Sequence, residues 1–122
     1  MMGNSHQIEI MAKAREWVEI GGAEFLLDLV RLYTDESSRI MAQLRHDFES
    51  GNETDFKRAA HSLKSSSANM GAVGFAALAE KIEIATRQGR MSQLAAEVAQ
   101  LESEYPEVER ALEAARAEHA GE

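Results

Sequence analysis

Four histidines and no cysteine bound the side-chain chemistry open to this 122-residue chain. His61 has the most informative surroundings. Lys57 and Arg58 stand at i−4 and i−3, and Lys64 and Ser65 at i+3 and i+4, the positions that surround residue i on a helix. Phe56, Ala59, Ala60, Leu63, Ser67 and Met70 fall within one arc at about 100° per residue, and His61 projects away from it. The imidazole is then an exposed nucleophile ringed by three cations, a setting suited to a group that becomes negatively charged, such as a phosphoryl group. By spacing alone, an exposed histidine among Lys and Arg is more often the solvated face of an amphipathic helix than a site. The surrounding residue string decides between these readings.

Other chemistries fare worse. The residues three before His6, His46, His61 and His119 are Gly3, Gln43, Arg58 and Arg116, so the Glu-x-x-His pairs of di-iron bundles are missing and no metal site is expected. Neither a G-x-x-x-x-G-K-[ST] loop nor a G-x-G-x-x-G turn occurs, so the chain has no recognisable means of holding a nucleotide by itself. The run Ser65-Ser66-Ser67 beside His61 offers hydroxyl nucleophiles, but small residues on a crowded helix face explain it better than a hydrolase triad.

The elements that must position His61 are helices. Gly21-Gly22, Ser50-Gly51-Asn52, Gly71 with Gly74, and Gly89 cut the chain into five pieces, and apolar residues recur at three and four with no long period-two run. A short first helix over about 6–19 aligns Ile10, Ala14 and Trp17, with Met11 and Val18 beside them. A long second helix, about 23–49, carries Phe25, Leu29, Leu32, Tyr33, Ile40, Leu44 and Phe48, with Gly51 as its stop. The third, about 53–70, is capped by Asn52 or Thr54; the fourth, about 73–88, turns Phe75, Leu78, Ile82 and Ala85 one way. The last opens at Ser92 and carries a heptad seam from Leu94 through Val98, Leu101, Tyr105, Val108 and Leu112 to Ala115. Pro106 removes one helical hydrogen bond without shifting the apolar phase, which reads as one bent helix. The seam is expected to serve a bundle core rather than a dimer zipper. The fold class is therefore all-α: an antiparallel up-down-up-down four-helix bundle over about 23–118, with the short N-terminal helix as an added cap and the whole of 1–122 as a single domain.

Composition narrows the partners. Thirteen Lys and Arg against 21 Asp and Glu give a formal charge of −8, which opposes nucleic acid and anionic membranes. No apolar run approaches the roughly 20 residues of a membrane span. Met1 to His6 lack the basic and apolar regions of a secretory signal, so a cytoplasmic location is expected.

Residues 60–72, Ala60-His61-Ser62-Leu63-Lys64-Ser65-Ser66-Ser67-Ala68-Asn69-Met70-Gly71-Ala72, resemble the signature of histidine-containing phosphotransfer domains, A-H-x-L-K-G-S-[SA]-x-x-[LMF]-G. The likeness extends over nearly the whole chain: a long second helix, the signature on the third, a glycine turn, then Leu78 and Ile82-Glu83 where the family often has a Leu-Glu pair. The resemblance implies that His61 accepts and donates a phosphoryl group, on Nε2, and that Lys64 helps neutralise its charge. Ser65 stands where glycine is usual, either as a small residue that preserves access or as a hydroxyl that hydrogen-bonds the phosphoryl group. Glu83 is the candidate for holding the ring through Nδ1; the alternative is an ordinary surface glutamate.

By the same resemblance the ring exchanges its phosphoryl group with response-regulator receiver aspartates or takes it from a sensor histidine kinase, hybrid or not. The receiver would bring Mg²⁺, and the bundle would have no cofactor of its own. Docking would use the surface around His61, with Lys57, Arg58 and Ala68 as contacts and Met11 and Trp17 as a possible rim, although a helix-capping core role suits Trp17 better. A monomer is expected, with no nucleic acid and no membrane. A helical adaptor that binds receivers or kinases without being phosphorylated is the competing function.

Overall fold

The computed structural model describes residues 4–121. Residues 1–3, which hold part of the N-terminal stretch read above for a leader, and residue 122 lie outside them. Among the described residues there are five α-helices and no strand: α1 (Gln7–Gly21), α2 (Ala23–Ser50), α3 (Glu53–Asn69), α4 (Val73–Arg87) and α5 (Ala95–His119).

The joints follow local chemistry. Gly51 ends α2 in the left-handed region at φ 74°, where a side chain would be strained. Asn52, not Thr54, caps α3, its side chain accepting the backbone N–H of Asp55 at 3.2 Å. Gly71 turns the chain between α3 and α4 at φ 84°, packed so tightly on α1 that an added Cβ would lie 2.6 Å from the Glu9 carbonyl oxygen. Trp17 ties the same junction to α1, its indole N–H donating to the Asn69 carbonyl at 2.9 Å. Ser92 does not open the last helix. It lies in a 3₁₀ turn, Met91–Gln93, which buries Met91, and Leu94 caps α5 from outside it. Pro106 lies inside the continuous α5.

Each of α2 to α5 packs on the next, and α2 also packs on α5, so these four helices enclose one core; α1 lies across α2 and α5. The arc Phe56, Ala59, Ala60, Leu63, Ser67 and Met70 of α3 is buried. So is the whole heptad seam of α5, which this chain fills by itself. Full burial of a Leu, Val or Phe side chain stabilises by about 1.5–3 kcal/mol, so this shared core is what holds marginal single helices in place. On α2 the buried stripe is Leu26, Val30, Tyr33, Ser37, Met41, Leu44 and Asp47. Phe25, Leu29, Ile40 and Phe48 are not in it, since they border this stripe and are only partly buried. Leu32 departs from the expectation more strongly: it points away from the stripe and is 62% exposed.

Candidate functional site

His61 stands on the outer face of α3 with 57% of its side chain exposed. Its backbone is held by the buried residues Ala60, just before it, and Leu63, two positions after it, both 0% exposed. The ring itself is held from α4: Nδ1 lies 2.8 Å from Glu83 Oε2. Opposite this carboxylate the Nδ1 proton is the donor, so in the neutral ring the Nε2 lone pair is the one left for a ligand.

Glu83 is not the surface residue that was the alternative. It is 4% exposed and is also reached by two cations, Lys64 Nζ at 2.9 Å from Oε1 and Arg87 Nη2 at 3.0 Å from Oε2. Burial is the largest single influence on its carboxyl and opposes ionisation. The hydrogen bonds and charge attraction of Lys64 and His61 together outweigh it and hold the carboxyl below its ordinary range.

The cations around His61 are thus less free than the sequence implied. Lys64 is engaged with Glu83, and Arg58 lies 3.3 Å from Asp55 within its own helix. Lys57 is exposed on α3, as are Ser65 one turn past His61 and Ala68 two turns past it. The serine run divides by direction. Ser65 faces out, Ser66 donates to the Ser62 carbonyl at 2.8 Å, and Ser67 is buried against the Tyr33 hydroxyl at 2.8 Å. Burial pushes the Tyr33 phenol up to about 12, so it stays protonated and available for that bond. No serine of the run assembles a hydrolase triad with His61. Met11 and Trp17 are half-buried against the core, and Lys13 sits over the Trp17 ring at 5.4 Å.

Arg87 escaped the sequence reading. Its signal was available as Glu83-x-x-x-Arg87, an i,i+4 pair in the favourable order, but only the packing of α4 on α3 brings that pair to His61. Among the described residues no three His, Asp or Glu side chains are grouped as metal ligands, and no helix is long and apolar enough to cross a membrane.

The fold is shared with a solved phosphotransfer protein. The crystal structure of histidine-containing phosphotransfer protein B (HptB) from Pseudomonas aeruginosa PAO1 is similar with a TM-score of 0.83 and 23% sequence identity, over 95% of this chain and 98% of that one. A family model, Hpt domain, matches residues 28–118. The chain belongs to the Hpt domain family, the histidine-containing phosphotransfer domains of phosphorelays. A comparison with curated protein sequences gave no match. The matched span takes in α3 and α4, and with them His61, Lys64, Glu83 and Arg87.

Proposed function

We propose that this protein is a phosphocarrier in which His61 takes a phosphoryl group from a receiver aspartate or a histidine kinase and gives it to another receiver aspartate. The observation that carries the reading is the 2.8 Å contact of His61 Nδ1 with a buried carboxylate on an otherwise exposed ring. In the forward step the Nε2 lone pair attacks phosphorus. The N–P bond forms as the P–O bond of the acyl phosphate breaks, and the aspartate carboxylate leaves with the electron pair. The ring, still protonated at Nδ1, gains formal positive charge, which the Glu83 carboxylate opposes at hydrogen-bond distance. Phosphoryl transfer of this loose, in-line kind depends mainly on positioning and charge stabilisation, so few groups are required on the carrier. Mg²⁺ would enter with the receiver.

Lys64 then has two anions to serve. In the resting protein it pairs with Glu83; a phosphoryl group on Nε2 supplies a second partner one helical turn away. Ser65, exposed on the same face, is either the small residue that admits the partner or a donor to a phosphoryl oxygen. Lys57, Arg58 and Ala68 would form part of the contact. Turns as short as Gly51-Asn52 and Met70-Gly71-Ala72 favour antiparallel neighbours, which supports the up-down-up-down arrangement; a single domain that acts as a cytoplasmic monomer is part of the same proposal.

Incubation with a panel of phosphorylated receivers tests the proposal. Base-stable, acid-labile label on wild-type protein and none on His61→Gln is the expected result. Absence of label with every receiver, or label retained by His61→Gln, refutes it. Receiver binding without any transfer would establish the adaptor reading instead.

A further inference from the structure

The core holds a group of four buried hydroxyls that the chemistry at His61 does not use. Tyr33 meets Ser67 at 2.8 Å and Ser37 meets Tyr105 at 2.6 Å, and each of the four residues is 9% exposed or less. Tyr33 and Ser37 stand one turn apart on α2, with Ser37 close enough to act on the Tyr33 hydroxyl as well, so the two pairs are neighbours. One pair ties α2 to α3 and the other ties α2 to α5. Replacing both partners of such a pair by apolar groups of the same shape is nearly neutral for stability, so stability alone does not account for the hydroxyls. What a hydroxyl pair adds is direction. It is satisfied at one register of the two helices and leaves two buried polar atoms stranded at any other.

We infer that Tyr33 and Ser67 are positioning residues for His61: their bond sets the rotation of α3 about its own axis and so aims the ring at Glu83. The consequence for transfer rests on the phosphocarrier reading above; the placement of the ring does not. Ser67 lies six residues after His61 on the same helix and faces the core while His61 faces out. Three of the five buried residues of α3, Ala59, Ala60 and Ser67, have short side chains, which interlock weakly with the grooves of neighbouring helices. Phe56 fixes the start of the helix against Phe48, with ring centres 5.6 Å apart. Toward its end the fixed points are Ser67 and, outside the core, the Asn69 carbonyl that Trp17 holds. The ring is sensitive to this angle. A group about 5–6 Å from a helix axis moves about 1 Å for a rotation of about 10°, enough to carry the 2.8 Å contact of Nδ1 with Glu83 beyond hydrogen-bond length. Glu83, 4% exposed on the neighbouring helix, is too closely packed to follow freely.

Tyr33→Phe/Ser67→Ala tests the inference, read by nitrogen-15 NMR of the His61 ring and by rapid-quench transfer from the phosphorylated receiver that labels His61 fastest. The variant loses both oxygens and strands neither partner, so it should fold with a melting temperature within about 5 °C of wild type. Its ring is expected to show a mixture of tautomers in place of a dominant Nδ1–H form. Transfer at saturating receiver should fall about three- to tenfold, with the half-saturating receiver concentration within about twofold of wild type, because the nucleophile is misaimed while the surface around it is unchanged. Ser37→Ala/Tyr105→Phe removes the neighbouring pair, which does not join α3, and should leave both readouts as in the wild type. Should the first double variant fail to fold, Ser67→Ala alone decides by the same two readouts. A wild-type tautomer ratio, or transfer within about twofold of wild type, overturns the inference. So do equal losses in the two double variants, which would make the hydroxyls general core packing. Absence of label on wild-type protein from every receiver removes the phosphocarrier reading and leaves the ring's placement to the NMR, whereas label on wild type with an unaltered ring in the variant removes this inference alone.

Discussion

Replacing Glu83 by alanine removes the group that holds the ring of His61, and the structure sets the size of the expected effect. The carboxylate is 6% exposed in its side chain and accepts from Nδ1 at 2.8 Å. Hydrogen bonds to charged groups contribute about 1.5–3 kcal/mol, and a ring that is more than half exposed belongs at the lower end of that range. If the contact strengthens as the ring gains charge, its loss raises the transfer barrier by about 1.5 kcal/mol, a rate decrease of about tenfold. Glu83→Gln retains a neutral acceptor and should cost about three- to fivefold, since neutral hydrogen bonds are worth about half as much. Neither variant leaves a stranded cation: Lys64 and Arg87 are 27% and 59% exposed and can turn to water. Their release acts the other way, by favouring the phosphorylated state. Chemistry and product stability must therefore be read separately, by rapid-quench single turnover at saturating phosphorylated receiver and by the lifetime of isolated phosphoprotein. Nitrogen-15 NMR of the ring supplies the cause, with the Nδ1–H tautomer dominant in the wild type and a mixture of tautomers in Glu83→Ala. A natively folded Glu83→Ala that transfers within twofold of wild type would refute the argument that this contact orients the nucleophile.

Three further outcomes follow from the geometry. The Glu83 carboxyl is held below its ordinary value near 4.5, so its ionic contribution is fully present above that value and disappears as pH falls through the lower folded value. The unfolding free energy of wild type minus that of Glu83→Gln, measured by urea titration, should be flat above about pH 5 and shrink below pH 4.5; a flat difference down to pH 3 contradicts this. Lys64→Ala should slow transfer or shorten the phosphohistidine lifetime and cost about 1–3 kcal/mol in the same titration, because it leaves Oε1 of a buried carboxylate without its cation; unaltered kinetics and lifetime remove it from the site. Gly71→Ala combines a φ of 84° with a Cβ placed 2.6 Å from the Glu9 carbonyl oxygen and 2.7 Å from Lys13 Cβ. Thermal unfolding should show a loss of about 2 kcal/mol or more, roughly 5–10 °C, and a melting point within 1 °C of wild type would show that α1 yields at no cost.

Under the proposed function, a chain this acidic must accept an anionic group. Lys57, Arg58 and Lys64 read as a free basic patch in the sequence, yet Arg58 and Lys64 each have an acidic partner in the fold. Glu83 thus holds His61, Lys64 and Arg87 together; under the proposed function it would orient the ring and give up its cations to the phosphoryl group.

The helices were legible because apolar periodicity is local: the α3 arc and the whole α5 seam are buried as their spacing requires. Chain punctuation was legible where glycine or asparagine has a backbone reason to be present, as at Gly51 and Asn52. Ser92 misled because the 3₁₀ turn buries Met91 and sets the start of α5 three residues later. Leu32 misled because membership of an apolar helix does not say which strip the neighbouring helices cover. His61 and its signature could be identified from one stretch of chain, since i±3 and i±4 neighbours are set by the helix itself. The surroundings of Glu83 could not. Whether it is a surface glutamate or a buried carboxylate shared by His61, Lys64 and Arg87 depends on how α4 packs against α3, and contacts across 22 residues of chain are decided by tertiary packing.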